Sequence, residues 1–210
     1  MEFLVIACAM LQKELERVRD KAAFMTKNSY DLVYWSAQLH NHPQKMRQAV
    51  KKLLSSAQNY DAVLLVPGSC GRALNGLQCP LKLVLPKADD CISLLLPDGR
   101  KEKGVFYLTP AWLQGESSFF AQYEKMANKK GSETAHYYLR KMLNEYKALC
   151  FLSQTVDEVE KYQEPLQKLN RLFKLPLTIT EASTKLIEDL FWGKWGQDFV
   201  IIKPGEEIPF

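Results

Sequence analysis

Paired cysteines and histidines are what this chain has least of. Its 210 residues include five Cys and three His, and no two cysteines stand in a C-x-x-C arrangement. The usual sequence warrant for a structural zinc finger or ribbon is therefore missing. No apolar run approaches the length that a membrane span requires, so the chain is read as soluble, with no membrane partner. One-sided charge is missing too. The 28 basic and 24 acidic residues leave a net +4, too small an excess for a dedicated nucleic-acid binder. The basic groups Lys45, Arg47, Lys51, Lys52 and Lys125, Lys129, Lys130 read as solvated faces. Internal repeats and low-complexity segments are also lacking.

Three common catalytic or phosphate signatures are absent as well. Gly68-Ser69-Cys70-Gly71-Arg72 comes after an apolar run and can aim backbone N–H groups and a guanidinium at an anion. It lacks the Gly-Lys-Ser/Thr ending of a P-loop and the spacing of a dinucleotide fingerprint. Ser69 has no nucleophile-elbow context, and only three histidines could serve as its base, which weighs against a Ser-His-Asp reading.

What is present is ordinary globular composition, 47% hydrophobic and 25% charged, enough for one α/β domain over residues 1–210 with a helical elaboration around 113–146. The start, Phe3 to Ala9, resembles a lipoprotein box at Val5-Ile6-Ala7-Cys8. Glu2 stands where a basic leader belongs, and the apolar stretch is too short, so a buried first strand is expected. An odd cysteine count without an export signal implies reduced thiols in a cytoplasm.

Strand-length apolar runs alternate with amphipathic stretches, the pattern of a three-layer fold whose mainly parallel sheet has helices on both faces. Strands are expected at 3–9, 31–35, 62–66, 81–86, in the run from Gly104 toward Trp112, at 147–152, 177–180 and 199–202. Helices are expected from Leu11, from Pro43 to about Gln58, over 92–96 with Asp89 or Asp90 as cap, over 118–146 with a break near Lys130-Gly131, over 157–173 and over 183–191. Pro43 suits a first helical turn because its missing N–H costs nothing there.

Cys8, His40, Cys70 and Cys91 each fall where a strand ends or the next element begins. In a parallel sheet those points share one edge, so residues scattered over the first half of the chain converge there. Thiolate and imidazole are ligands for zinc, or for iron in a cluster, and these four residues form the candidate metal set. Cys8 and Cys150, beside apolar strands, also suit a plain core role, as does a surface or capping role for His40. Cys79, before Pro80, reads as an incidental thiol. Glu14 and Asp90 are the candidate carboxylates for proton transfer, with helix capping the competing role. Arg72, Tyr107 and Trp112 are the candidate small-molecule contacts, although aromatics after a strand more often pack.

Taken together, Ile6-Ala7-Cys8, Leu39-His40 with Pro43, Gly68-Ser69-Cys70-Gly71, Pro86 with Asp90-Cys91-Ile92, Tyr107-Leu108-Thr109-Pro110-Ala111-Trp112, Gly193-Lys194-Trp195 and Pro204-Gly205 carry a family likeness. The chain resembles an uncharacterised family of anaerobic bacteria and methanogenic archaea, often encoded beside corrinoid-dependent methyltransferases. The family pattern has Tyr-Gly-Leu-Cys-Gly at the third strand and His-Asp-Cys later. Cys70, Asp90 and Cys91 match it, and Asp89 stands in place of the histidine. The resemblance implies a metal or cluster site accessory to methyl transfer, with a corrinoid as possible cofactor and a corrinoid-pathway protein or small molecule as partner. The alternatives are a metal-free module binding a small molecule or anion, and an interaction partner of a methyltransferase. Whether the chain is an enzyme, and its oligomeric state, stay open.

Overall fold

In the computed structural model, residues 1–66, 70, 72–114 and 118–209 are described, without the side chains of 41 and 119. The first elements are β1 (Glu2–Cys8), α1 (Gln12–Thr26), β2 (Ser29–Trp35), α2 (Pro43–Ser55), β3 (Ala62–Val66), β4 (Leu83–Pro86) and α3 (Cys91–Leu95). After them come β5 (Val105–Leu108), α4 (Pro110–Leu113), α5 (Phe119–Lys130), α6 (Ser132–Met142), β6 (Ala148–Ser153), α7 (Val156–Phe173) and β7 (Leu177–Glu181). The chain closes with α8 (Lys185–Phe191) and β8 (Phe199–Ile202). These elements form two compact units, one of residues 1–99 with 183–210 and one of residues 100–182.

The first unit is a five-stranded sheet in the order β2-β1-β3-β4-β8. Its first four strands run parallel, and β8 returns antiparallel against β4, with Leu83 opposite Ile202. Strands β1, β3 and β4 are buried along nearly their whole length, as strands covered on both faces must be. On one face Leu4, Ile6 and Cys8 pack with Met46, Val50 and Leu54 of α2. That stripe recurs every fourth residue, and burying each such side chain contributes about 1.5–3 kcal/mol. On the other face Phe3 stacks on Tyr30 and meets Trp195 edge-on, while Tyr30 packs on Phe191 of α8 and donates a 2.5 Å hydrogen bond to its carbonyl. The result is a three-layer, mainly parallel α/β arrangement.

Chain order dictates where this sheet is open to a ligand. From β1 the chain crosses to β2 on one side, then returns past β1 to β3 on the other. Such a reversal leaves a crevice at the carboxyl ends of the two central strands, here β1 and β3. Cys8 is the last residue of β1, and the loop carrying Cys70 leaves β3.

The second unit is a parallel three-stranded sheet, β5-β6-β7. Leu149 and Phe151 of β6 share a core with Leu139 of α6, Leu143 just after it, and Tyr162, Leu166, Leu169 and Phe173 of α7. The helical break expected near residue 130 falls at Gly131, whose φ of 86° ends α5 and whose N–H reaches the Ala127 carbonyl at 2.8 Å. The strand expected to run from Gly104 toward Trp112 stops at Leu108. Pro110, at the first helical position, starts the short α4, so Trp112 is helical rather than in a loop.

Candidate functional site

Cys8 ends β1 in extended backbone beside Trp35 of β2, and the chain then tightens through a 3-10 turn at Ala9–Leu11 into α1. This bend turns the Met10 N–H back onto the Cys8 sulfur. Cys91 is the first residue of α3. Its helix is set by Asp90, whose carboxylate accepts from the N–H groups of Ile92 at 3.0 Å and Ser93 at 2.9 Å. Of the two aspartates open to this role in the sequence, Asp90 fills it.

The Cys91 S–H donates to the Cys8 sulfur. That bond lowers the Cys8 pKa below its usual 9.0, against the upward push of burial and with help from the Met10 N–H. Its counterpart is a Cys91 thiol raised well above 9.0, first by giving its proton to that bond, then by burial and by the charges of Cys8, Cys70 and Asp90. Cys70 is raised to about 12, by burial first and then by Cys8 and Asp90. Three sulfurs expected to converge from sequence spacing thus act on one another. Cys70 and Cys91 also pack against the core cluster that contains Cys8. All five cysteines are free thiols.

Cys70 and Arg72 both have positive φ, 44° and 69°, in the turn after β3. The Cys70 carbonyl accepts from the Ala73 N–H at 3.3 Å. Arg47 of α2 clamps the next stretch of chain, its guanidinium donating to the Ala73 carbonyl at 3.1 Å and also to that of Asn75. Gly76 and Leu77 pair with Ile208, and the Cys79 carbonyl accepts from the Gly205 N–H. Gly68, Ser69 and Gly71, the rest of the expected anion-binding turn, lie outside the described residues, as does Pro67 before them.

The remaining candidates have surroundings of their own. His40 is exposed, on the 3-10 turn Ala37–Asn41 that comes after β2 and is opened by Ser36 accepting from the Gln38 N–H at 3.2 Å. Glu14 is buried in the first turn of α1, where its charge acts on Tyr34. Arg72 is exposed. Tyr107 and Trp112 belong to the second unit. The Tyr107 hydroxyl accepts from the Glu102 N–H at 3.0 Å, and Trp112 packs edge-on to Phe106 at 6.2 Å. Cys79 is buried in the first unit's core, and Cys150 donates to the Thr180 hydroxyl at 3.4 Å.

Among the described residues no group of three or more His, Cys, Asp or Glu stands ready-spaced to hold a metal ion. Cys8 and Cys91 share a hydrogen bond, and Cys70 acts on them through charge. As soft donors they suit a thiophilic ion. Sequence reasoning missed two contributors, the Met10 N–H and the Arg47 clamp. Neither leaves a sequence signal, since any non-proline residue offers an N–H and Arg47 sits among other cations on α2.

No helix among the described residues is long and apolar enough to cross a membrane. Comparison with curated proteins and with solved structures yields no match. Residues 34–191, which include His40, Cys70, Asp90 and Cys91 but not Cys8, match the model of the family described as a protein of unknown function, DUF1638, and the chain belongs to that family.

Proposed function

We propose that this chain binds a soft metal ion, zinc or iron in a small cluster, through Cys8, Cys70 and Cys91 at the carboxyl edge of the first sheet. The observation that carries the reading is the mutual action of the three thiols at the crevice between β1 and β3. Three soft donors drawn from three separate strand ends are costly to gather for packing alone, when a single apolar side chain fills such a place as well. His40, on the turn after β2, is carried as the fourth donor.

In this reading the chain's own residues do three things. The Cys91 S–H and Met10 N–H favour the thiolate form of Cys8, making it the first anchor for a cation. Asp90 fixes the start of α3, and with it the place of Cys91. It also puts negative charge beside Cys70 and Cys91, which favours a cation over their protons once one arrives. Asp90 is therefore the carboxylate the reading uses for proton handling, in preference to Glu14. A bound ion with an open position would polarise a thiol or water ligand there, and a closed one would hold structure or carry electrons.

The sequence resemblance supplies the setting, which we carry as part of the proposal: a cytoplasmic accessory to corrinoid-dependent methyl transfer, acting on a small molecule or a corrinoid-pathway protein. The test is metal analysis of protein purified without air, beside a Cys70→Ser, Cys91→Ser double variant. The wild-type chain should carry about one equivalent of metal or one cluster, and the double variant should lose it. Equal content in the two proteins would remove the site. Saturable anion binding by metal-free protein, lost in Arg72→Ala, would put the metal-free module in its place.

A further inference from the structure

The second unit contains an open cleft of about 880 Å³, within the size range of small-ligand sites. It lies along one face of α6. Ser132, His136 and Arg140 form one row of that face, Glu133, Tyr137 and Lys141 the adjacent row, each spaced by one turn. The opposite side of α6, Ala135 and Leu139, is buried in the core. Tyr123, Tyr146 and Phe173 also line the cleft, so flat rings share it with two full cations and one carboxylate.

Neither Arg140 nor Lys141 has an ion-pair or hydrogen-bond partner among the described residues. Their place in the last turn of α6 suits the helix dipole, but that accounts for charge at the helix end and not for an aromatic hollow beside it. Tyr137, 64% exposed, meets Tyr138 edge-on instead of packing inward, which leaves a ring at the rim. Rings that stack and cations that pair with phosphate select one ligand chemistry, a planar aromatic body bearing an anionic group.

We infer that this cleft binds a planar anion of mononucleotide size, its ring against Tyr123, Tyr137 and Tyr146 and its phosphate on Arg140 and Lys141. The site belongs wholly to the second unit and does not rest on the proposed metal. Calorimetric titration of the full chain with AMP and with flavin mononucleotide tests it, with adenosine and inorganic phosphate as partial probes. At least one of the two monophosphates should bind saturably, at least tenfold tighter than either partial probe. An Arg140→Ala, Lys141→Ala double variant should weaken that binding by about tenfold or more, and Tyr137→Ala should also weaken it. All three side chains are exposed, so circular dichroism should show the fold unchanged. Failure of both monophosphates to saturate would overturn the inference, as would equal affinity in the double variant. Adenosine binding as tightly as AMP would overturn the anionic half of the site.

Discussion

The Cys91 thiol donates its hydrogen to the Cys8 sulfur, joining the first residue of α3 to the last residue of β1. Of the influences on Cys8 this bond is the largest, and it splits two chemically identical groups into one that ionises early and one that ionises late. The asymmetry can be tested in metal-free protein.

Replacing Cys91 by Ala removes the donor, leaving burial to dominate, and the Cys8 pKa should rise. Cys91→Ser keeps an O–H donor and should hold much of the lowering. The ultraviolet absorbance of thiolate, measured against pH, reads this directly. The Cys8 ionisation of the wild-type chain, identified by its loss in Cys8→Ser, should fall below 9.0; that of the Cys91→Ala variant should move upward, and that of the Cys91→Ser variant should lie between them.

Asp90 has a structural duty separable from its charge. Asp90→Ala leaves the Ile92 and Ser93 N–H groups without their acceptor and should cost about 1 kcal/mol in urea unfolding. Asp90→Asn retains a capping oxygen and should stay within a few tenths of a kcal/mol of wild type. Both variants remove the negative charge that raises Cys70, so in both the Cys70 pKa should fall from about 12. A loss of stability as large in Asn as in Ala would show that charge rather than capping sets α3.

Much of this arrangement was legible in the sequence, for identifiable reasons. Leu4, Ile6, Val63 and Leu65 belong to apolar runs that do not alternate, and such runs specify strands buried on both faces. Once four of them run parallel, the ends that carry Cys8, Cys70 and Cys91 must share an edge. What the sequence does not specify is pairing between distant strands. Nothing local in Phe199–Ile202 says that it runs antiparallel to β4, or that β5, β6 and β7 form a sheet of their own. Asp89 and Asp90 carry the same side chain one residue apart, and only the helix start decides which of them caps it. The cleft beside α6 leaves no sequence signal, because Tyr137, Arg140 and Lys141 occupy the polar face of an amphipathic helix, where such residues are usually merely solvated.

Tyr34 offers a pH test away from the thiols. Its hydroxyl is buried and has no hydrogen-bond partner among the described residues. Its pKa is raised from 10.0 to about 12, mainly by burial, then by Glu16 and more weakly by Glu14, with Arg19 opposing. Below pH 10 the folded and unfolded chains both keep this proton, so Tyr34 adds no pH dependence. From about 10 to about 12 the unfolded chain releases it and the folded chain does not, so stability should fall as pH rises through that window. Tyr34→Phe should flatten the alkaline loss. At neutral pH it should leave stability unchanged or raise it by up to about 1 kcal/mol, because it deletes an unsatisfied buried hydroxyl. Denaturant midpoints measured across the alkaline range check both effects, and a clear destabilisation at neutral pH would contradict them.

The central claim is that Cys8, Cys70 and Cys91 together hold a soft ion, and its most direct test is cobalt(II) titration of the metal-free chain under anaerobic conditions. The account predicts that thiolate-to-cobalt charge-transfer absorbance will grow to saturation at about one equivalent, weaken in single Ser variants of each of the three cysteines, and stay unchanged in Cys79→Ser and Cys150→Ser. A titration with no charge-transfer absorbance, and with the thiols as reactive after cobalt as before it, would contradict the account.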